Sequence, residues 1–288
     1  MKIANYFTWM AVATAALTFA SCKQDLGQNP GFDYPREAGV EVPIPAPLFH
    51  ASFEDDLTLD GTLKATMTAY RDVAPAFEAG KRDGRAYRNQ DGTALMIRPD
   101  AAGMERLKNL GSFSVFMWVN WEGQNPSACS LFALGHKDQE IGNLLLFVET
   151  FRKEDPKEFF VKGYLRSTGT EGGPDAWFDA GDEARLQHMA GKWRHVGVTY
   201  DAATSTITLY NQGAEVCHRQ LRNGGMGALK FDEISGICLG AFPAMVGLTP
   251  IENWPARGTF YDGLLDEFNF FGEALSAAQV AALYEKTK

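Results

Sequence analysis

The 288 residues contain only 4 cysteines and 5 histidines, and they carry no excess of basic charge. Each scarcity excludes something. Once Cys22 is set apart at the end of an N-terminal apolar stretch, Cys129, Cys217 and Cys238 remain, an odd number that cannot complete a disulfide framework. Cys217 and Cys238 sit in strand-like runs, so two readings stand: a cross-strand disulfide in an oxidising compartment, or buried free thiols. His50, His136, His188, His195 and His218 show no metal-ligand spacing. A formal net charge of -9 leaves no basic footprint for a phosphate backbone, which argues against a nucleic-acid partner. No GxSxG elbow, HExxH helix or phosphate-binding loop occurs. Long helical periodicity is missing too.

What is present begins with an address. Lys2 precedes an apolar stretch from about Phe7 to Ala20, too short for a comfortable membrane span and suited to a signal-peptide core. The sequence "FASC" ending at Cys22 resembles a bacterial lipobox. Residues 1–21 are therefore expected to form a lipoprotein signal peptide, with Cys22 as the lipid-attached first residue of the mature chain. Acyl chains stabilise attachment by about 0.8 kcal/mol per buried CH₂. The expected location is the outer membrane, held by the lipid anchor on its cell-surface or periplasmic side. Residues 22–47 include Pro30, Pro35, Pro43, Pro45 and Pro47 without helical or strand period, and read as a semi-extended tether.

From Leu48 to Lys288 short apolar runs recur with turn signals between them, the pattern of an all-β sandwich or barrel. Runs such as "GSFSVFMWVNW", "NLLLFVET", "EFFVKGYLRS" and "STITLYNQG" are strand candidates, and Asp91-Gly92 and Asn223-Gly224-Gly225 supply turn chemistry. One helix is expected, at the end: Ser276 and Gln279 form a capping box, and Val280, Leu283 and Tyr284 share a face. The stretch "GKWRHVGVTYDAATSTITLYNQGAEV" (191–216) resembles the signature of LamG-like, concanavalin A-like jelly-roll domains. "SFSVFMWVNW" matches an earlier strand of that family, and "GTFYDGLLDEFNFFGEALSAAQVAALY" its closing strand and helix. The resemblance implies a two-sheet antiparallel jelly-roll sandwich, with the first and last strands side by side. Trp118 and Trp193 are then expected in the core, and His195 as a hydrogen-bonded interior histidine.

The closing strand holds two adjacent acids. Alternation sends Asp266 and Glu267 to opposite faces, so they are not expected to act as a dyad. A buried carboxylate needs compensation. The resemblance implies a structural Ca²⁺ held by carboxylates of the first and last strands, matched here by Glu54 and Asp266; a salt bridge to Arg85 or Arg98 is the other reading. Glucanases of this architecture carry Glu-x-Asp-x-x-Glu. The nearest stretch, "KEDPKE", has Lys153 where the nucleophile belongs and Pro156 interrupting the alternation, so it reads as a polar turn and no catalytic residue is expected. Trp177 and Trp254 lie in loop-like sequence and are candidate carbohydrate-binding platforms, although a loop tryptophan also serves to cap a core. The expected function is non-catalytic binding of a polysaccharide or oligosaccharide, within a glycan-uptake system. A protein-interaction or adhesion module, and a glycoside hydrolase with another carboxylate pair, are the alternatives.

Overall fold

Alternating apolar residues need two faces to bury against, and the chain supplies them by folding as two layers. The computed structural model describes residues 41–82, 84–90, 92–122, 127–149, 158–170, 174–249 and 258–288. One compact unit spans Val42–Lys288; of the other, Met1–Glu41, only Glu41 is described. In chain order the strands are β1 (Phe49–Ala51), β2 (Ala65–Ala69), β3 (Phe77–Ala79), β4 (Arg85–Asn89), β5 (Leu95–Pro99), β6 (Phe113–Trp121), β7 (Ala128–His136), β8 (Leu144–Glu149) and β9 (Phe159–Arg166). They continue as β10 (Asp175–Asp179), β11 (Arg185–Leu186), β12 (Trp193–Asp201), β13 (Thr206–Asn211), β14 (Ala214–Gln220), β15 (Ile234–Leu239), β16 (Gly258–Thr259) and β17 (Gly263–Phe271). Helix α1 covers Ala101–Lys108 and α2 covers Ala277–Thr287.

The eight-stranded sheet runs β14-β13-β12-β6-β17-β4-β3, with β1 also on β17. The nine-stranded sheet runs β10-β9-β8-β7-β15-β5-β2, with β11 on β9 and β16 on β7. Every described pairing is antiparallel except β16 with β7. The expected all-β, two-sheet jelly-roll sandwich with a short C-terminal helix is what forms. Its core lies between the sheets, where Val115, Met117 and Val119 of β6 and Val196, Val198 and Tyr200 of β12 meet Leu144, Leu146 and Val148 of β8. First and last strands are side by side as expected, with Phe49 opposite Phe270 and Ala51 opposite Phe268.

The opposite faces are covered as well. Helix α2 starts on the expected capping box of Ser276 and Gln279 and lays Val280 and Leu283 over Phe116, Tyr210 and Phe271 on the outer face of the smaller sheet. Ile44 packs into the same cluster, and Gln279 donates to the Pro43 carbonyl at 3.1 Å, so these two residues, assigned to the tether from sequence, lie against α2. Trp118 is fully buried, but it faces α2 rather than the core: its indole N–H donates to Thr287 Oγ1 at 3.0 Å and its ring meets Tyr284. Trp193 is not a core residue, because the first position of β12 leaves it half-buried. His195 is interior, but neither ring nitrogen meets a hydrogen-bonding partner among the described residues, contrary to expectation; its ring stacks on Phe116 at 5.3 Å instead.

The cysteine alternatives resolve as well. Cys129, Cys217 and Cys238 are buried and free. Cys217 points into the core from the smaller sheet and Cys238 lies on the outer face of the larger one, so no disulfide joins them.

Candidate functional site

Strand β10 carries "DAWFD". Alternation buries Ala176 and Phe178 in the core and turns Asp175, Trp177 and Asp179 outward. Trp177, expected in a loop, therefore stands on the rigid edge strand of the larger sheet. It is 50% exposed, and among the described residues only it and Val73 are large hydrophobic side chains left in solvent. A single exposed hydrophobe means little. This one, however, ends a continuous aromatic strip: its ring lies 4.9 Å from Tyr164 and 6.5 Å from Phe147, and Phe147 is 5.9 Å from Phe242.

The strip is flanked by two charged rows set by the β9–β10 register. Trp177 is opposite Tyr164, with Asp175 opposite Arg166 on one side and Asp179 opposite Lys162 on the other. Asp175 accepts from the Tyr164 hydroxyl at 2.7 Å and lies 3.5 Å from Arg166. Burial and the adjoining Asp175 carboxylate push the Tyr164 phenol well above its ordinary pKa, so it remains a donor. Lys162 reaches Asp179 at 2.8 Å and Glu149 at 3.0 Å. Burial works to lower its pKa, but the bonds to Asp179 and Glu149 outweigh it and hold the ammonium above its usual value. An aromatic face bordered by fixed donors and acceptors is the arrangement that covers an apolar sugar face while binding its hydroxyls. Trp254, Lys153, Asp155 and Cys22 lie outside the described residues. Glu158, the last residue of "KEDPKE", is buried and spent on an ion pair with Arg185.

The acidic pair occupies a different place. Strand β17 pairs with β4 through Gly263–Leu265 and, on the same edge, with β1 through Phe268–Phe270. Between them its register with β6 shifts at a bulge, where Glu267 takes a positive φ of 47°. The bulge turns Glu267 to His50, 3.1 Å away, and leaves Asp266 in the notch between β1 and β4. Glu54 follows β1 into that notch. The loop between β3 and β4 covers Asp266 and reaches the exposed Glu54: the Lys81 N–H donates to Asp266 Oδ2 at 2.9 Å and the Arg85 N–H to Glu54 Oε2 at 2.7 Å. Gly80 is needed for space, since a Cβ there would stand 2.6 Å from the Arg85 carbonyl oxygen and 2.9 Å from Asp266 Oδ2.

The β3–β4 loop thus donates to both Glu54 and Asp266, and the salt-bridge reading is set aside: the Arg85 side chain goes to Asp55 at 2.9 Å and to the Phe77 carbonyl, and no cationic side chain among the described residues pairs with Asp266. Burial raises the Asp266 pKa to about 7; the Lys81 and Glu267 N–H groups oppose this, while the charges of Glu267 and Glu54 add to it. A buried carboxylate crowded by other acids fits a hard, oxygen-seeking cation. Among the described residues no group of three or more His, Cys, Asp or Glu side chains is placed to hold a metal.

With fold and geometry in place, the chain's relatives can be given. Residues 99–281 match the concanavalin A-like lectin/glucanases superfamily, and the chain belongs to it. Domain 4 of AbnA, a GH43 extracellular arabinanase from Geobacillus stearothermophilus, solved in complex with arabinotriose, superposes with a TM-score of 0.55 at 20% identity, covering 83% of this chain and 98% of that one. The receptor binding domain of botulinum neurotoxin C/D mosaic serotype superposes with a TM-score of 0.54 at 12% identity over 83% of this chain and 51% of that one. The binding domain of botulinum neurotoxin DC in complex with rat synaptotagmin II gives 0.53 at 10% identity over 84% and 52%. The chain thus spans about half the length of the toxin domains. No curated protein matches it.

Proposed function

We propose that this domain binds carbohydrate without making or breaking bonds, and that the outer face of β8, β9 and β10 is its platform. One observation carries the reading: a half-exposed Trp177 on a rigid strand, continuous with Tyr164 and Phe147 and bordered on both sides by charged side chains. Stacking would supply the affinity and the charged rows the orientation. The arabinotriose complex of the similar arabinanase domain supports the ligand class. Trp254 is retained as a second aromatic contact on its sequence setting. Anchored through Cys22 at the outer membrane and carried on a Pro-rich tether, the platform would capture polysaccharide or oligosaccharide for a glycan-uptake system. Glu54 and Asp266 would hold a structural Ca²⁺ that ties β1, β17 and the β3–β4 loop together, remote from any chemistry on the ligand.

The test is affinity electrophoresis of the full chain through gels cast with single polysaccharides. Retardation by at least one glycan, lost in Trp177→Ala with an unchanged thermal midpoint, is the expected result. Contact with an aromatic ring is worth about 0.5–1.5 kcal/mol beyond the area it buries, so the loss should be roughly several-fold to tenfold. Retardation of Trp177→Ala equal to the parent would remove the platform. Release of sugar from a retained polysaccharide would make the protein a hydrolase. A second reading, protein recognition, draws on the toxin domain solved with rat synaptotagmin II; a protein partner captured with no glycan retained would favour it.

A further inference from the structure

We infer that the row Glu149–Lys162–Asp179 is the specificity-determining half of the Trp177 platform, gripping neighbouring hydroxyls of an uncharged sugar unit stacked on the indole. The inference rests on the carbohydrate reading and assigns the ligand's chemistry. Trp177 and Asp179 lie two residues apart on one face of β10, a spacing of roughly 6.5–7 Å along a strand. That is about the width over which a pyranose or furanose ring on the indole projects its hydroxyls. Lys162, opposite Asp179 on β9, and Glu149, the last residue of β8, extend the row across the sheet.

The energetics of the row point to a ligand rather than to the fold. Side-chain exposure is 16% for Lys162 and 14% for Glu149, although both sit on the outer face of the sheet, so the Glu149–Lys162 pair is largely desolvated while Asp179, at 45%, faces the ligand side. Largely desolvated ion pairs contribute little net stability, and apolar residues of similar volume serve packing at least as well. Leu145, on that same face, shows that the sheet accepts such residues there. A charged row held at fixed geometry beside an exposed indole is instead suited to hydroxyl recognition: the ammonium donates and the carboxylates accept, Asp179 Oδ1 already taking the Gly181 N–H at 3.0 Å and Glu149 meeting Lys162 through one oxygen. Acceptors in this majority select hydroxyl donors and repel a carboxylate or sulfate on the sugar. The other row carries one acid and one base, Asp175 and Arg166, and so lacks this excess of carboxylate.

The experiment compares full-chain parent, Trp177→Ala, Asp179→Asn and Glu149→Gln in gels containing arabinan, galactan, mixed-linkage glucan or polygalacturonate, with thermal melting of each. The parent should be retarded by an uncharged glycan in preference to polygalacturonate. Asp179→Asn and Glu149→Gln should each weaken that retardation about tenfold, the loss of one charge-assisted hydrogen bond, while their midpoints stay close to the parent's. Glu149→Gln keeps the test open should Asp179→Asn fold poorly. If Trp177→Ala abolishes binding while both amide variants bind like the parent, the row is not part of the site and the platform stands. Preferential retention of polygalacturonate likewise overturns the inference alone. If Trp177→Ala binds like the parent, or no glycan is retained, platform and row fall together.

Discussion

His195 shows what a single residue does to the balance sheet of this sandwich. Its ring lies between Phe116 and Trp118, at centroid distances of 5.3 Å from each, under Tyr284 of α2. Burial lowers its pKa from 6.5 to about 3, so the folded state holds it neutral through the physiological range. The sign of the pH effect follows. The stability this neutral ring allows is fully present above about pH 6.5 and is lost as pH falls toward 3, because only the unfolded chain takes up the proton. A neutral imidazole must still leave an N–H and a lone pair unmet here. His195→Phe keeps the stacking and removes both polar atoms, so urea denaturation at pH 7 should show a gain of about 1 kcal/mol. At pH 4.5 the gain should grow by roughly 2–3 kcal/mol, since the proton-binding penalty disappears with the imidazole. A loss of stability at pH 7 would mean that the ring nitrogens have a partner.

At the scale of elements, α2 is the piece that converts a two-faced sheet into a three-layered end of the molecule. It is short, and an isolated helix of this length is marginal in water, so its start must be fixed by the cap and its body by packing. Ser276 Oγ accepts from the Gln279 N–H and the Gln279 side chain returns to the Ser276 N–H. Ser276→Ala should lower stability by about 1 kcal/mol in chemical denaturation with an unchanged slope. A fall in slope would instead signal that α2 had detached and exposed Trp118 and Phe116. This element was plain in the sequence because capping box and 3.6-residue period coincide within one short window. Helix α1 was not: Asp100 caps it through the Gly103 N–H, but the helix holds a glycine and has only Gly103 and Leu107 buried, too few apolar positions to show a period. β10 was missed for a related reason. "DAWFD" alternates cleanly, yet glycine-rich punctuation on both sides made five residues read as loop, and Trp177 was placed there with them.

For the whole molecule, layers, core and the meeting of first and last strands were legible because they depend on alternation, which every long strand repeats. The notch holding Asp266 was legible only as a pair of acids. Its shape comes from β17 changing partner from β4 to β1, and the bulge at Glu267 that permits this is a tertiary event with no local period. On the calcium reading proposed above, the same notch would make stability depend jointly on pH and on a cation. With Asp266 raised to about 7 against 3.8 in the unfolded chain, the folded state holds the proton more tightly between those values. Without a metal, stability should therefore be greatest below about pH 4 as far as this group is concerned, and should decline as pH rises through 7. Calcium favours the ionised carboxylate, so its stabilisation should appear as pH passes 7 and be small at pH 5. Calcium at about a hundred times its dissociation constant adds about 2.7 kcal/mol, which for a domain of this size moves the thermal midpoint by roughly 5–10 °C at pH 8. Asp266→Asn should remove both the calcium response and the decline toward pH 7, whereas Glu54→Gln should remove the calcium response and, by taking away a neighbouring charge, only lessen the decline. A midpoint at pH 8 that is the same with calcium and with chelator would take both residues off the metal, and would leave Asp266 as a carboxyl whose pKa burial raises to about 7.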